Sequence, residues 1–309
     1  MIMKHLRLSV LVLALGLFFV SCNKEGQFNP KHKIDRIGVS VTLNYEVFLN
    51  NVWSNQGTQE IPRYASEIWN WDGNLLKSIS HYTHSGELDY TENYEYDGKR
   101  LSKISWGTSE YLTFAYDKGK LSTIDGYHGT EKRVSYVFTH EKGNISKITY
   151  TDYNAEKGAF NPMPVNAFRF FIPSANFEEF TKMMAKMYNA MATKNITTGT
   201  IEFEWDGNNI KTATIRSGNY TATYNYTYDN KFNPYYGLFD INEYNYGIVM
   251  SKNNITRLVA DDTNNDHVER DYVYTYDGKL PSMQTCSFSE LQSTTERFVY
   301  TTIQYYEYK

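Results

Sequence analysis

Tyr94-Glu95-Tyr96-Asp97-Gly98-Lys99-Arg100-Leu101, with Ile104 three residues further on, is the unit that most restricts what this chain can become. Rings two residues apart lie on one face of an extended strand. The Asp-Gly pair supplies residues that tolerate positive φ in a tight hairpin turn. Leu101 and Ile104 then return on the partner strand. They are three apart, so no regular strand puts both on one face, and the spacing predicts a bulge or an end-capping Leu.

The unit recurs. Trp69-Asn70-Trp71-Asp72-Gly73 leads to Leu76 and Ile79, and Phe114-Ala115-Tyr116-Asp117-Lys118-Gly119 to Leu121 and Ile124. Tyr136 to Gly143, Phe203 to Gly207, the imperfect Tyr224 to Asn230, and Tyr274 to Gly278 continue it. A long alternating run, Val39 to Leu49, precedes the first unit, and Ile255–Ala260, Arg270–Tyr276 and Phe298–Tyr308 alternate after the sixth. With 28 tyrosines and only 7 prolines, the composition agrees with strands. The expected fold is mainly β, an antiparallel meander.

Acids recur in the turns, at Asp72, Asp97, Asp117, Glu141, Asp206, Asp229 and Asp277. Each has Gly or Asn one or two residues later, so they read as turn residues and not as catalytic carboxylates. Asp261 to Asp266 lacks the glycine and spaced ligands of a calcium loop and reads as a solvated hairpin tip. His81 and His84 are three apart, on opposite faces of a strand, so they share no metal.

One segment, about 160–196, breaks the rhythm. After Pro162, Pro164 and Pro173, an amphipathic helix is expected over about 176–194. Phe177, Phe180, Met184, Met187 and Met191 make its apolar stripe. No His or Cys stands among these methionines, so they read as packing against the sheet and not as metal ligands.

The first 21 residues form a signal peptide: Lys4, His5 and Arg7, then an apolar run from Leu8 to Val20 that is too short to span a membrane. Phe19-Val20-Ser21-Cys22 resembles a bacterial lipobox. The resemblance implies cleavage before Cys22, lipidation of that cysteine and tethering through it to the outer membrane, since Asn23 and not Asp follows. Lys24-Glu25 resembles the short acidic export tag of Bacteroidetes surface lipoproteins. Residues 22–35 read as a flexible tether and 36–309 as one β-rich domain. The mature chain keeps 29 basic against 35 acidic residues, which argues against nucleic acid as a partner. Beyond Cys22 it holds one cysteine, Cys286, so no internal disulfide is expected.

The Tyr-x-Tyr-Asp-x-Gly-x-Leu unit is similar to the YD repeat of bacterial Rhs and teneurin shells, although seven irregular units do not imply a closed cocoon. The chain also resembles the DUF4595-type lipoproteins of Bacteroidetes over about residues 36–309. That resemblance rests on the lipobox, the repeats, Tyr228-Asp229-Asn230-Lys231-Phe232-Asn233-Pro234-Tyr235-Tyr236 and Ser251-Lys252-Asn253-Asn254-Ile255-Thr256. It implies a porin-like fold, an up-and-down barrel or strongly curved sheet, and no active site.

The rings run through whole strands and are not confined to interface girdles, so the aromatic face is expected to be the packed interior of a water-standing domain. Gln304-Tyr305-Tyr306-Glu307-Tyr308 superficially resembles the closing signal of an outer-membrane barrel, which leaves integral insertion as the alternative. The function expected is non-enzymatic binding of a glycan or protein, with no cofactor. Trp53 and Trp106, near strand ends, are the candidate ligand-binding rings. An accessory structural role in an outer-membrane complex is the second reading. A polymer hydrolase is the third, and it would need two converging buried acids.

Overall fold

A computed structural model describes residues 25–153, 198–238, 249–263, 267–291 and 294–309. Sixteen strands follow one another in chain order. They are β1 (Ile34–Leu49), β2 (Val52–Asp72), β3 (Leu75–Tyr82), β4 (Leu88–Asp97), β5 (Arg100–Trp106), β6 (Glu110–Asp117), β7 (Lys120–His128) and β8 (Glu131–Glu141). The second half comprises β9 (Asn144–Asp152), β10 (Thr198–Asp206), β11 (Asn209–Ser217), β12 (Tyr220–Phe232), β13 (Asn253–Asp262), β14 (His267–Asp277), β15 (Leu280–Leu291) and β16 (Glu296–Tyr308). Each pairs antiparallel with its sequence neighbours, and β16 pairs with β1 from Ile34↔Tyr308 to Val47↔Glu296, closing a barrel. Of the barrel and the curved sheet, the structure is the barrel. The helix expected at 176–194 and the rest of the 160–196 insertion lie outside the described residues, as does Cys22.

The Asp-Gly hairpins all fall at one end. Asp97 is paired with Arg100, so the loop is Gly98-Lys99, with only Gly98 at positive φ (61°). The Asp is therefore the last paired residue of its strand, and the glycine alone takes the strained conformation, as in a type II′ turn. Lys118-Gly119 and Lys142-Gly143 instead place both loop residues at positive φ.

The bulge demanded by the Leu-x-x-Ile spacing is present. Glu95 pairs with Lys103 but Tyr96 with Leu101, so Ser102 is the extra residue. The shift brings both Leu101 and Ile104 to the buried face. The same slip occurs at Trp71, Tyr116, His140, Trp205 and Tyr276. In four hairpins the extra residue is a serine whose hydroxyl donates across the ladder: Ser102 to the Glu95 carbonyl, Ser122 to Ala115, Ser146 to Thr139 and Ser282 to Thr275, at 3.0–3.3 Å. A short polar side chain there occupies the carbonyl that the bulge disturbs.

In several units the ring just before the turn joins neighbouring hairpins, and Tyr308 of β16 does the same. Tyr116 donates to the carbonyl of Leu101, Trp205 to Ile145, Tyr228 to Ile210, Trp71 to Ile34 and Tyr308 to Pro281, at 2.6–2.9 Å. Each acceptor is the residue immediately before the extra residue of a neighbouring bulge, Ile34 preceding Asp35 at the β1–β16 slip.

Buried positions recur on every strand, alternating over most of them, and run round the whole circuit, so the buried face is the lumen. Trp69, Tyr94, Phe114, Tyr136, Phe203 and Tyr224 belong to one continuous cluster with the aliphatics. Outside, charged ladders cross the strands. Lys147 and Arg216 flank Glu202 at 3.8 Å each, and Arg257 lies between Glu269 (2.9 Å) and Asp271 (3.6 Å). These pairs are exposed and contribute little to stability, but they mark the outer wall as polar.

Candidate functional site

Counting back by two from the first ring of a unit keeps the inward face, and on β2 and β4 it meets a carboxylate: Glu67 before Trp69, and Glu92 before Tyr94. Both acids are buried, 3 % exposed each, and His81 on the intervening β3 is 2 % exposed. His81 is paired in register with Glu67, and its Nε2 stands 3.8 Å from Glu92 Oε1. The imidazole stacks on Tyr90 with ring centroids 4.3 Å apart.

The wall supplies the donors. Trp69 Nε1–H donates to Glu67 Oε2 (2.8 Å), Tyr94 Oη–H to Glu92 Oε2 (2.7 Å) and Trp106 Nε1–H to Glu92 Oε1 (3.0 Å). Burial pushes the Glu67 carboxyl up to about 7, with His81 and the Trp69 indole opposing and Glu92 adding to the rise. Burial pushes Glu92 upward too, but the facing imidazole, then Trp106 and Tyr94, more than offset it and hold Glu92 below the ordinary carboxylate range. The two acids thus differ in kind: one near neutrality, one a committed anion.

A tyrosine–glutamine group continues the lumen on β14–β16. Tyr306 Oη lies 3.0 Å from Oε1 of both Gln284 and Gln304, and Gln284 Nε2 donates to Tyr274 Oη (3.0 Å). Tyr235, from the β12–β13 connection, joins it to the acids. Its ring is 6.3 Å from Trp69 and 6.1 Å from Tyr306.

Two non-repeating segments close the Asp-Gly end. The first is residues 25–33, within the stretch the sequence reads as a tether. Glu25 accepts the Leu121 N–H (2.6 Å) and faces His140 Nε2 (3.0 Å), and the Gly26 carbonyl accepts the Leu101 N–H (2.9 Å). Phe28 packs 5.8 Å from Trp71 and is buried. The second is the β12–β13 connection. Ser251 Oγ accepts the Ile210 N–H (2.9 Å), the same position in the hairpin as Leu101 and Leu121. Asn233 donates to the Ser251 carbonyl (2.9 Å), and Asn253 and Asn209 exchange hydrogen bonds at 3.0 and 3.1 Å. Asp229 accepts from Tyr276, from the Lys231 N–H (2.9 Å) and from the Asn254 N–H (3.2 Å).

The two predicted rings part company. Trp106, a candidate ligand-binding ring, is 8 % exposed and lies in the core with its indole committed to Glu92. Its place two residues beyond Ile104 turns it inward. Trp53 is half-buried at the far end, in the β1–β2 hairpin. It packs against Phe48 at 5.1 Å, with the Arg297 guanidinium 4.3 Å over its ring. Arg297 is itself held by Glu46 at 2.7 Å. His84 lies in the exposed β3–β4 turn, away from His81's face. Cys286 is a buried free thiol, pushed up to about 11 by burial. Sequence reasoning missed Glu67 and Glu92, although the parity of the rings two residues later carried the signal.

No protein-family model matches the chain, and no curated protein matches it. Neither the DUF4595-type family nor the YD-repeat shells is thereby shown. Among solved structures, the chain is similar to a porin-like protein from Bacteroides uniformis, at 14 % identity over 92 % of this chain and 100 % of that one, with a TM-score of 0.48. It is also similar to a porin-like protein from Bacteroides vulgatus, at 9 % identity over 90 % and 99 %, with a TM-score of 0.44.

Proposed function

We propose that this is an envelope lipoprotein, held at the outer membrane by acyl chains on Cys22, whose barrel stands in water as a binding module for a protein or glycan. The polarity of the wall carries the reading. A membrane barrel turns an apolar band to lipid and, at sixteen to eighteen strands, keeps an aqueous channel. Here Glu202, Arg216, Arg257 and Asp271 face outward, while Trp69, Tyr94, Tyr224 and Tyr272 are buried inside. A filled lumen and a charged wall fit neither lipid immersion nor conduction.

The far end supports the binding role. Of the exposed large apolar residues among those described, Leu49, Val52, Leu88 and Tyr153 lie there, while Val137 and Val273 stand singly within strands. The buried acids do not favour a hydrolase, because Glu67 and Glu92 are closed off and committed to ring donors of the wall.

Acyl labelling with flotation, planar-bilayer recording and envelope cross-linking test the proposal. The wild type should incorporate label and float, Cys22→Ser should lose both, and the protein should add no conductance. Cross-linked partner or glycan-array signal should drop in Trp53→Ala with Val52→Ser. Discrete conductance steps, or Cys22→Ser remaining integral to the membrane, overturn the anchored-module reading. Partner signal indifferent to the far-end variant overturns the binding surface.

A further inference from the structure

Two residues, Asn23 and Lys24, separate Cys22 from Glu25, three backbone steps in all. Extended backbone covers about 3.5 Å per residue, so that reach is at most about 10 Å. Glu25 is no loose point on a leash. From there to Lys33 the segment is fastened in turn to four Asp-Gly hairpins. Glu25 holds His140 of β8–β9 and the Leu121 N–H of β6–β7. Gly26 takes the Leu101 N–H of β4–β5. Phe28 packs on Trp69 and Trp71 of β2–β3, and Lys33 Nζ donates to the Gly73 carbonyl of that same hairpin. Gly26 sits at φ 77°, where a Cβ would overlap the Tyr116 hydroxyl, so the segment is fitted and not merely resting there. A body fastened this way, on a leash of at most about 10 Å, keeps its Asp-Gly end close to the anchor point.

We infer that the barrel stands end-on against a lipid surface, with the Asp-Gly turns toward the bilayer and the far end held outward. This rests on the acylation of Cys22 proposed above. The chemistry of the two ends agrees with it. None of the exposed large apolar residues among those described lies at the Asp-Gly turns, so the described turns offer no apolar wedge for insertion. Its loops carry Lys99, Lys118 and Lys279 beside Asp97, Asp117 and Asp277. Such a mixed-sign rim suits zwitterionic phospholipid headgroups. Glu25, spent on His140 and Leu121, is engaged by the barrel once the chain has folded.

Orientation can be read with the full-length lipidated protein in vesicles of phosphatidylethanolamine with a minor share of phosphatidylglycerol and a headgroup-bound quencher. A dye is placed through Lys99→Cys at the Asp-Gly end or Thr130→Cys at the far end, Cys286 being buried. Strands of eight to eleven residues separate the two sites by about 25–35 Å at 3.3 Å per residue. Quenching at 99 should exceed quenching at 130 several-fold. Inserting a Gly-Ser segment of about twelve residues between Asn23 and Lys24, which frees the barrel without touching the fastened residues, should bring the ratio toward unity. Glu25→Ala with Phe28→Ala should do the same. Equal quenching at both sites, or a ratio indifferent to the insertion, overturns the end-on inference. Failure of the wild type to float overturns the anchoring beneath it, and flotation reads that separately.

Discussion

Tyr116 donates its hydroxyl to the carbonyl of Leu101, 2.8 Å away on the preceding hairpin, while the Leu101 N–H is given to the carbonyl of Gly26. One residue beside a bulge, on the bulged strand itself, thus has both main-chain groups satisfied from outside its own strand pair. The arrangement follows from the bulge itself, which frees an N–H and a C=O on the inward side, where no water replaces a lost partner. The repeat supplies the ring that takes the carbonyl. It cannot supply an acceptor for the N–H, and residues 25–33 and Ser251 do so at Leu121, Leu101 and Ile210. The non-repeating segments therefore complete the repeats.

Tyr116→Phe keeps the ring and deletes one hydrogen bond, so it should lower unfolding free energy by about 1–2 kcal/mol. Gly26→Ala should cost about as much or more, since it combines a positive φ with overlap at the same hydroxyl. Because the two sites touch, a double-mutant cycle should show coupling. Additive losses by urea denaturation would contradict the shared contact.

Ser102 separates side-chain chemistry from register. Ser102→Ala removes only the bond to Glu95 and should cost under about 1 kcal/mol. Deleting Ser102 removes the bulge, so either Leu101 or Ile104 must turn outward, at about 2–4 kcal/mol. Equal effects of substitution and deletion, measured as denaturation midpoints, would show that the bulge does not set the register.

That bulge was legible from spacing alone, because Leu101 and Ile104 cannot share a face without it. So was the inward aromatic face, because rings at a period of two fix the parity of their strand. Parity also marked Glu67, Glu92 and Trp106 as inward. Proximity to a strand end was the weaker guide for Trp106, since its indole N–H finds a buried carboxylate. Closure was less accessible, because pairing Ile34 with Tyr308 depends on strand number and stagger summed round the circuit. The docking of Glu25 to Phe28 left no periodic trace, since its partners, main-chain groups together with His140 and the Trp69 and Trp71 rings, belong to distant hairpins.

Lys118 and Lys142 sit at φ 47° and 50°, where an L side chain is disfavoured. Lys118→Gly or Lys118→Asn should raise stability by about 0.5–1 kcal/mol, and Gly98→Ala, at φ 61°, should lower it by about 1 kcal/mol. Thermal midpoints of the three variants check this. A rise for Gly98→Ala would mean that the two-residue loop is not the II′-like turn described.

Glu67 makes stability depend on pH in a stated direction. Its folded pKa, about 7, lies above the ordinary 4.5, so the folded state binds a proton there that the unfolded chain has released. The stabilisation is complete below about pH 4.5 and is lost as pH rises through about 7, a change of about 3 kcal/mol for a buried carboxyl shifted this far. Glu92 works the other way, losing its contribution as pH falls below the ordinary carboxylate range, so greatest stability is expected at mildly acidic pH. His267, raised by its hydrogen bond to Asp261, weakens stability in the same direction as Glu67, but it is common to wild type and variant. Glu67→Gln keeps an acceptor for the Trp69 indole and removes the titration. Urea midpoints at pH 5 and pH 8 should therefore differ clearly in the wild type and much less in Glu67→Gln, which should be the more stable protein at pH 8. An unchanged difference in the variant would assign the pH dependence to other groups and deny that Glu67 is buried near neutrality.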